Sequence, residues 1–343
     1  MSTSTTDPSA ELRPSLNVSG GAIDVHTHFL PDCYHDALAR AGTDQPDNIP
    51  GLPRWSASTT LEAMDRIGIA ASILSVSSPG VILPSRSATI ALAREVNDEC
   101  ASVVRDAPGR FGFLASLPQS QIEPSLAELD RALGELGADG VVLMSNAEGH
   151  YISGPAFAPV LEELSRREAV VLLHPASPPN YQAVAFGRPT PILEFPFETT
   201  RTVADLILSG ATLRFPGIRW IVPHAGAALP VLASRIAWVI EVLGTDVAAI
   251  DVNDALASFH YDLAGAPLPI LLPALLALVG PGRVLYGSDM PFTPGHDAAR
   301  LAVQLDESAL LAGEAHAAVL RDNALTLFPR FSSTGAPQPE RVR

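Results

Sequence analysis

The sequence contains no lysine, and all 22 of its basic residues are arginine. Any mechanism that needs a lysine amine is therefore excluded, which removes Schiff-base chemistry and phosphate binding by a P-loop lysine. The same absence removes the carboxylated lysine that bridges two metal ions in many binuclear hydrolases. A metal site in this chain has to be built from other side chains.

Cysteine and long apolar segments are also scarce. Cys33 and Cys100 show no CxxC or other ligand spacing and cannot form a disulfide framework, which is typical of a reducing compartment. No apolar run reaches the ~18 residues of a membrane span, and the first fifteen residues lack the basic and apolar regions of a signal peptide. We therefore expect a cytoplasmic protein with no membrane partner.

Charged residues make up only 17% of the chain, and the net charge is −15. An acidic molecule repels phosphate backbones, so nucleic acid is not expected as a partner. Hydrophobic residues make up 47% of the 343 residues, enough for a large core with strands buried on both faces.

Short β-branched runs alternate with segments of helical periodicity along most of the chain. Eight strands are predicted, and four of the predicted helices lie at 87–104, 125–136, 155–168 and 228–243. No GxGxxG follows the first strand, so the pattern favours an α/β fold with a closed (β/α)8 TIM barrel over a doubly wound sheet. The predicted strands are 22–28, 70–77, 112–117, 140–145, 169–175, 218–224, 257–263 and 283–289.

The barrel is predicted to form a single domain over residues 19–330. The segments 1–18 and 331–343 are rich in Ser, Thr or Pro and are expected to be mobile tails. Two loop insertions, 42–57 and 176–192, follow the first and fifth strands. Because both come after strand C-termini, they are expected to wall a pocket on the C-terminal face.

Five residues able to bind a metal ion lie at the ends of predicted strands. His26 and His28 are two residues apart in an apolar strand, so both imidazoles point to the same face. His174, His224 and Asp289 end three further strands, and strand C-termini converge at the mouth of a barrel. Burying such groups without partners is costly, which favours a metal site over packing.

Histidine nitrogens together with a carboxylate suit a divalent ion such as Zn, and Mn is a second option. The absence of lysine argues for one ion rather than two. The remaining histidines lie in helices, loops or mid-strand and are given no chemical role: His35, His150, His260, His296 and His316.

The motifs around these residues resemble the amidohydrolase-related decarboxylases, a group that includes aminocarboxymuconate semialdehyde decarboxylase and the hydroxybenzoate decarboxylases. The motifs span nearly the whole chain: IDVHTH (23–28), LLHPA (172–176), VPHAGAALP (222–230) and YGSDMPF (286–292). Three further segments are most similar to the 6-methylsalicylate decarboxylase branch: LPRW (52–55), SVSSPG (75–80) and YDLAGAP (261–267).

This resemblance implies a role for each strand-end residue. His26, His28, His174 and Asp289 would hold the metal, and His224 would be the catalytic acid/base. Arg235, eleven residues after His224, matches an arginine that in semialdehyde-decarboxylase relatives reaches the substrate carboxylate across a dimer interface. The expected assembly is a homodimer or a dimer of dimers.

The predicted reaction is non-oxidative decarboxylation of an ortho-hydroxylated aromatic acid, with 6-methylsalicylate or a similar hydroxybenzoate as substrate. His224 or Asp289 supplies a proton to the ring carbon that bears the carboxylate, and CO2 then leaves. Arg54 and Arg235 are candidate carboxylate anchors because guanidinium groups match carboxylates. Trp55, Phe29 and Phe292 are candidates to line the ring pocket.

Two other functions remain open at this point. The same ion and His224 can activate water to hydrolyse a lactone, amide or ring carbonyl. A catalytically inactive barrel that only binds ligands is the other alternative, although the five intact residues argue against it.

Overall fold

The computed structural model describes residues 15–43, 45–243 and 251–332. Most of the two predicted tails, 1–14 and 333–343, lies outside the described residues. The part of each tail that is described packs against the domain. Leu16 is buried and its amide donates to the Ile67 carbonyl at 2.7 Å, and Phe331 is fully buried. Leu16 and Phe331, at the inner ends of the two predicted tails, thus pack against the domain.

The described residues form an alternating series of strands and helices. The strands are β1 (Ala22–His28), β2 (Ile69–Ser75), β3 (Phe111–Ser116), β4 (Gly140–Met144), β5 (Asn146–Ala147), β6 (His150–Tyr151), β7 (Val170–His174), β8 (Arg219–Val222), β9 (His260–Asp262) and β10 (Val284–Leu285). The helices are α1 (Asp32–Arg40), α2 (Ala57–Ile67), α3 (Arg86–Asp106), α4 (Ile122–Gly134), α5 (Ala158–Arg166), α6 (Glu194–Leu208), α7 (Ala211–Arg214), α8 (Leu229–Leu243), α9 (Val252–Ser258), α10 (Leu271–Val279), α11 (Gly295–Asp306), α12 (Glu314–Ala317) and α13 (Asn323–Leu327).

Eight strands form one parallel sheet in the order β1-β2-β3-β4-β7-β8-β9-β10, and β5 and β6 form a separate small hairpin. The first strand is joined to the segment that directly follows the last strand by main-chain hydrogen bonds, from Val25 N to Tyr286 O at 3.0 Å and from His28 N to Met290 O at 2.6 Å. The sheet is thereby closed, and the predicted (β/α)8 barrel is confirmed.

Alternate residues of the strands face two separate cores. Val170 and Leu172 point into the barrel with Val142 and Ile221, whereas Val171 and its neighbours pack against the surrounding helices. Phe328 and Phe331 fill the interior below these residues. Val170, Leu172 and His174 lie on the same face of β7, because side chains alternate along a strand. The His174 imidazole therefore points into the barrel mouth.

All eight predicted strands correspond to observed ones, and the main differences lie in the last two. Residues 257 and 258 belong to α9, whose N-terminus is capped by the Asp251 carboxylate, which accepts hydrogen bonds from Asn253 N and Asp254 N. The strand predicted at 283–289 is reduced to β10, although the chain beyond it stays hydrogen-bonded to β1 as far as Asp289, which has a φ of 59°.

The two predicted insertions contact each other on the C-terminal face. Asn48 Nδ2 donates to the Arg188 carbonyl at 3.0 Å, and the Thr190 hydroxyl donates to the Asp47 carbonyl at 3.3 Å. Ser177 donates a further hydrogen bond to the Asp47 carboxylate. The two loops are thus joined into one wall. Among the described residues, no helix is both long enough and apolar enough to cross a lipid bilayer.

The close packing of neighbouring strands at Gly140 gives a first prediction. A Cβ at this position would collide with the Val170 carbonyl oxygen on the adjacent strand. We expect Gly140→Ala to lower the free energy of unfolding by roughly 1–3 kcal/mol, as overpacked cores do. The matched control is Gly134→Ala on α4, where an added Cβ meets nothing within 4 Å. Urea denaturation should show the control unchanged or slightly more stable. Equal stability of Gly140→Ala and the parent would contradict the packing argument.

Candidate active site

The five strand-end residues singled out in the sequence meet at the C-terminal mouth of the barrel. His26 and His28 lie at the end of β1, and His174 is the last residue of β7. The ring centroids of His26 and His28 are 4.9 Å apart, and those of His28 and His174 are 5.0 Å apart. The register of β1 against β2 shifts between Asp24 and Thr27. This irregularity lets both Val25 and His26 face the barrel interior, which strict alternation would forbid.

The metal-binding atoms of this cluster have the spacing of a coordination shell. The Nε2 atoms of His26 and His28 are 3.1 Å apart, and Asp289 Oδ1 lies 3.1 Å from the second and 3.7 Å from the first. Ligand atoms of His26, His28 and His174 all lie within 4.8 Å of one another. Metal–nitrogen bonds of about 2.0–2.1 Å place pairs of ligand atoms roughly 3–4 Å apart, so the cluster can hold a divalent ion.

The hydrogen bond made by Nδ1 of each imidazole determines which ring nitrogen carries the proton. His28 Nδ1 faces the Ser75 carbonyl at 3.3 Å, and His174 Nδ1 faces the Pro175 carbonyl at 2.8 Å. Because a carbonyl oxygen only accepts, Nδ1 is the protonated atom in both rings. His26 Nδ1 is 2.8 Å from Asp262 Oδ2 and donates to it in the same way. The Nε2 lone pairs therefore point toward one another, an arrangement that a cation stabilises.

The electrostatics of the cluster favour the metal-binding forms of two ligands. Burial holds the pKa of His174 well below its usual value, so this ring is neutral. Burial also acts to raise the pKa of Asp289, but the hydrogen bond with His28 and the charge of His26 outweigh burial and keep the carboxylate ionised. For His26, burial opposes protonation, yet Asp262 and the other carboxylates raise its pKa to about 9. Metal binding at His26 thus competes with a proton.

His224 lies beside this cluster. Its ring centroid is 5.2 Å from that of His26 and 6.4 Å from that of His174. Its backbone amide donates to Asp262 Oδ1 at 3.0 Å, whereas its Nδ1 is buried without a hydrogen-bond partner among the described residues. Burial lowers the pKa of His224, and the neighbouring His26 lowers it further. The ring is therefore held by its backbone and keeps nitrogen atoms available for proton transfer.

Backbone strain coincides with two of the candidate residues. His224 and Asp289 have φ values of 57° and 59°, a region that non-glycine residues seldom adopt. The backbone conformation of Asp289 is fixed by hydrogen bonds from Asp289 N to His26 O and from Thr293 N to Asp289 O, both 2.8 Å. Such strain persists only where the surroundings impose it, and it concentrates at functional sites.

A cavity of about 690 Å3 opens over the cluster, and His174, His224 and Asp289 form part of its wall. The two insertions contribute Asp47, Ile49, Pro191 and Ile192 to the same wall, as expected from their positions. Phe292 also lines the cavity, and its ring centroid is 5.3 Å from that of His28. Most other lining residues are apolar, so the cavity is suited to an aromatic ring.

The other side chains predicted to bind substrate do not line this cavity. The Arg54 side chain is 79% exposed and lies 3.5 Å from Asp32. Phe29 is buried and packs edge-to-face on Trp55, with centroids 4.7 Å apart, so these two rings belong to the packed structure. Arg235 is exposed on α8. Within a single chain, Phe292 alone of the five predicted residues reaches the cavity.

Two buried aspartates that the sequence reasoning did not single out support the cluster. Asp262 orients His26 and, through its other oxygen, accepts from the amides of His224 and Ala264. Asp24 accepts from the hydroxyls of Thr27 and Ser288, both at 2.6 Å. Asp262 was detectable, because it is a carboxylate at the C-terminal end of an apolar strand, the criterion that identified Asp289.

Comparisons with known proteins agree with this geometry. The amidohydrolase family model matches residues 23–330. The chain is 37% identical over 325 residues to the 6-methylsalicylic acid decarboxylase of Aspergillus aculeatus, an alignment that covers 92% of this chain and 98% of that protein. Among solved structures, an amidohydrolase II is 37% identical with a TM-score of 0.85, and the alignment covers 90% of this chain and 99% of the other. A 2,6-dihydroxybenzoate decarboxylase complexed with 2,6-dihydroxybenzoate is 25% identical with a TM-score of 0.77, at 90% and 99% coverage.

The chain belongs to the amidohydrolase family, because the family model spans nearly all of the barrel. Within that family it is a decarboxylase, and the identification made from the sequence motifs is confirmed.

The hydrogen bond between Asp262 and His26 gives a second prediction. In Asp262→Asn the amide keeps the shape of the side chain but lacks the charge that holds His26 in its orientation. We expect the affinity for a divalent ion to fall by about 10–100-fold, as for other partners of metal-bound histidines. Competition with a chelator, read by elemental analysis, measures the change. Asp65→Asn, at an exposed ion pair with Arg110, is the control. Unaltered affinity in Asp262→Asn would show that the carboxylate is dispensable for metal binding.

Proposed function

We propose that this protein is a metal-dependent, non-oxidative decarboxylase of an ortho-hydroxylated aromatic acid such as 6-methylsalicylate. The observation that carries the proposal is the 37% identity to the 6-methylsalicylic acid decarboxylase over 98% of that protein's length. The converging nitrogens of His26, His28 and His174, beneath a largely apolar cavity, support it.

We propose His26, His28, His174 and Asp289 as the ligands of a single ion, zinc in the first place, with manganese as the alternative. When bound, such an ion supplies Lewis acidity and a docking point for the carboxylate and the neighbouring hydroxyl oxygen of the substrate. The protein's own contribution is to fix these ligands through the hydrogen bonds at Nδ1.

His224 is the proposed proton donor. It lines the cavity, and no described residue occupies its Nδ1. A proton delivered to the ring carbon that bears the carboxylate interrupts the aromatic system. The bond to the carboxylate then breaks, its electron pair restores the aromatic ring, and CO2 leaves. Asp289, which shares the cavity wall, is the second candidate for this transfer, and its ionised carboxylate would first have to take up the proton that it delivers. Phe292 is placed to contact the substrate ring.

The hydrolase alternative has weaker support. Both reactions use the same cluster, but the relatives that match over nearly the full length are decarboxylases. Exposed Arg54 adds nothing to either reaction within one chain, since its guanidinium is directed to Asp32.

Replacing His224 separates its proposed role from metal binding. His224→Ala should lower kcat for 6-methylsalicylate by about 100- to 10,000-fold, because the proton donor is lost, while the metal content stays near that of the parent. His174→Ala and Asp289→Ala should lose the metal. CO2 release and elemental analysis provide the two measurements, and exposed His150→Ala is the control. Equal loss of metal in all three variants would make His224 a ligand instead.

We further propose that two copies of the chain assemble through α8, in the cytoplasm. Val231, Arg235, Trp238 and Val242 recur at helical spacing on one exposed face of this helix. Exposed apolar groups of this kind favour a protein interface. Val231 also lines the cavity, so a second copy on this face would bring its own Arg235 near a cavity mouth, where it would attract an incoming carboxylate.

The assembly proposal is tested by placing a charge on this face. Trp238→Glu should convert the dimer to a monomer in analytical ultracentrifugation and lower kcat/KM, because a buried charge without a partner opposes association. Leu213→Glu, at an exposed apolar residue of α7, should leave the assembly intact. A monomeric parent protein, or a dimer that persists in Trp238→Glu, would refute this interface.

A further inference from the structure

The cavity above the cluster is larger than the proposed substrate needs. Its volume is about 690 Å3, whereas a cavity of roughly 150 Å3 is enough to hold a benzene ring. A ring with a carboxylate, a hydroxyl and a methyl group would leave much of the space unfilled. The remaining volume gives room for a larger apolar substituent on the ring.

Among the described residues that line the cavity, six are polar, and three of these belong to the cluster or lie beside it. His174, His224 and Asp289 lie at its inner end, and Ser77 Oγ is 3.5 Å from His174 Nε2. Ser78 is a further polar lining residue, as is Asp47, whose carboxylate accepts a hydrogen bond from Ser177 of the second insertion. The other described residues that line the cavity are aliphatic, aromatic, proline or glycine. A ligand that fills the cavity therefore has one polar end and one apolar end.

The apolar wall continues from the inner end to the surface. Phe292 and Phe195 lie nearest the histidines, with the Phe195 ring centroid 6.2 Å from that of His174. Ile192, Leu193 and Ile270 line the same cavity and are exposed. Large exposed aliphatic side chains next to a binding site mark a surface that is covered in the functional state.

We propose that the substrate is an ortho-hydroxylated aromatic acid with an apolar substituent longer than methyl, which lies along this wall. The inference rests on the proposed function, since the acid head group is placed at the metal cluster. A bound hydrocarbon chain explains why the wall is apolar along its whole length and continuous with the polar end. A second copy of the chain would account for the exposed apolar residues at the rim. It would not account for the apolar residues that line the cavity as far as the histidines.

The test compares 6-alkylsalicylates with methyl, ethyl, propyl and pentyl groups. We expect kcat/KM to rise about fourfold per added methylene, the equivalent of roughly 0.8 kcal/mol, until the wall is covered. The gain should appear in KM with kcat nearly unchanged, because the chain is bound equally in the ground and transition states. Calorimetric binding of the same acids should show a heat-capacity change that becomes more negative with chain length.

Ile192→Asp places a charge on the wall and should reduce kcat/KM more for the pentyl compound than for the methyl compound. The matched control is Phe186→Asp, in the same insertion, where the exposed phenylalanine does not line the cavity. In Phe186→Asp, kcat/KM should depend on the length of the alkyl chain as it does in the parent protein.

Two failures can be told apart. If 6-methylsalicylate is decarboxylated but kcat/KM stays constant or falls with chain length, the inference is wrong and the proposed function stands. If none of the acids is decarboxylated, the proposed function fails. The calorimetric affinities alone then test the inference. Affinity that does not increase with chain length would overturn it.

Discussion

The site depends on three buried imidazoles whose unprotonated nitrogens face one point. Two main-chain carbonyls and the Asp262 carboxylate accept the Nδ1 protons and leave the Nε2 lone pairs directed inward. Lone pairs held 3.1 Å apart in a buried site repel each other unless a proton on one nitrogen or a metal ion lies between them. The protein holds this unfavourable arrangement because each acceptor belongs to a closed barrel and cannot move away. The tendency of this cluster to bind a cation therefore depends on the main-chain carbonyls as well as on the histidine side chains.

Closure of the barrel and construction of the site involve the same residues. The main-chain bonds that join the last strand to the first run through His28, Met290, Asp289 and His26. Asp24 lies behind this seam, fully buried, where burial raises its pKa to about 6 and the Ser288 and Thr27 hydroxyls oppose the shift. Any loosening of the seam would separate Asp289 from the histidines. Stability and metal affinity are consequently coupled at this junction.

The sequence was informative where one-dimensional patterns determine structure. Apolar alternation revealed the strands, and the position of His174 at the end of VVLLH placed it at the barrel mouth. Contacts between distant elements have no such pattern. Arg54 is directed to Asp32 and not to the cavity, and Phe29 packs on Trp55. Asp262 lies 2.8 Å from His26, across 236 residues, because β9 pairs with β10 and the segment after β10 is hydrogen-bonded to β1.

The charged groups of the cavity wall suggest a further role for an ion at the proposed site, which is to offset the repulsion of an anionic substrate. The cavity wall carries the Asp47 and Asp289 carboxylates, the whole chain has a net charge of −15, and no arginine among the described residues lines the cavity. An aromatic carboxylate entering a buried site of this kind meets repulsion that a low dielectric strengthens. A divalent ion held by the three proposed imidazoles and one carboxylate would leave a net positive charge at the inner end. An ion at the proposed site would therefore attract the substrate as well as activate it, and an arginine from a second copy would add to this attraction at the mouth.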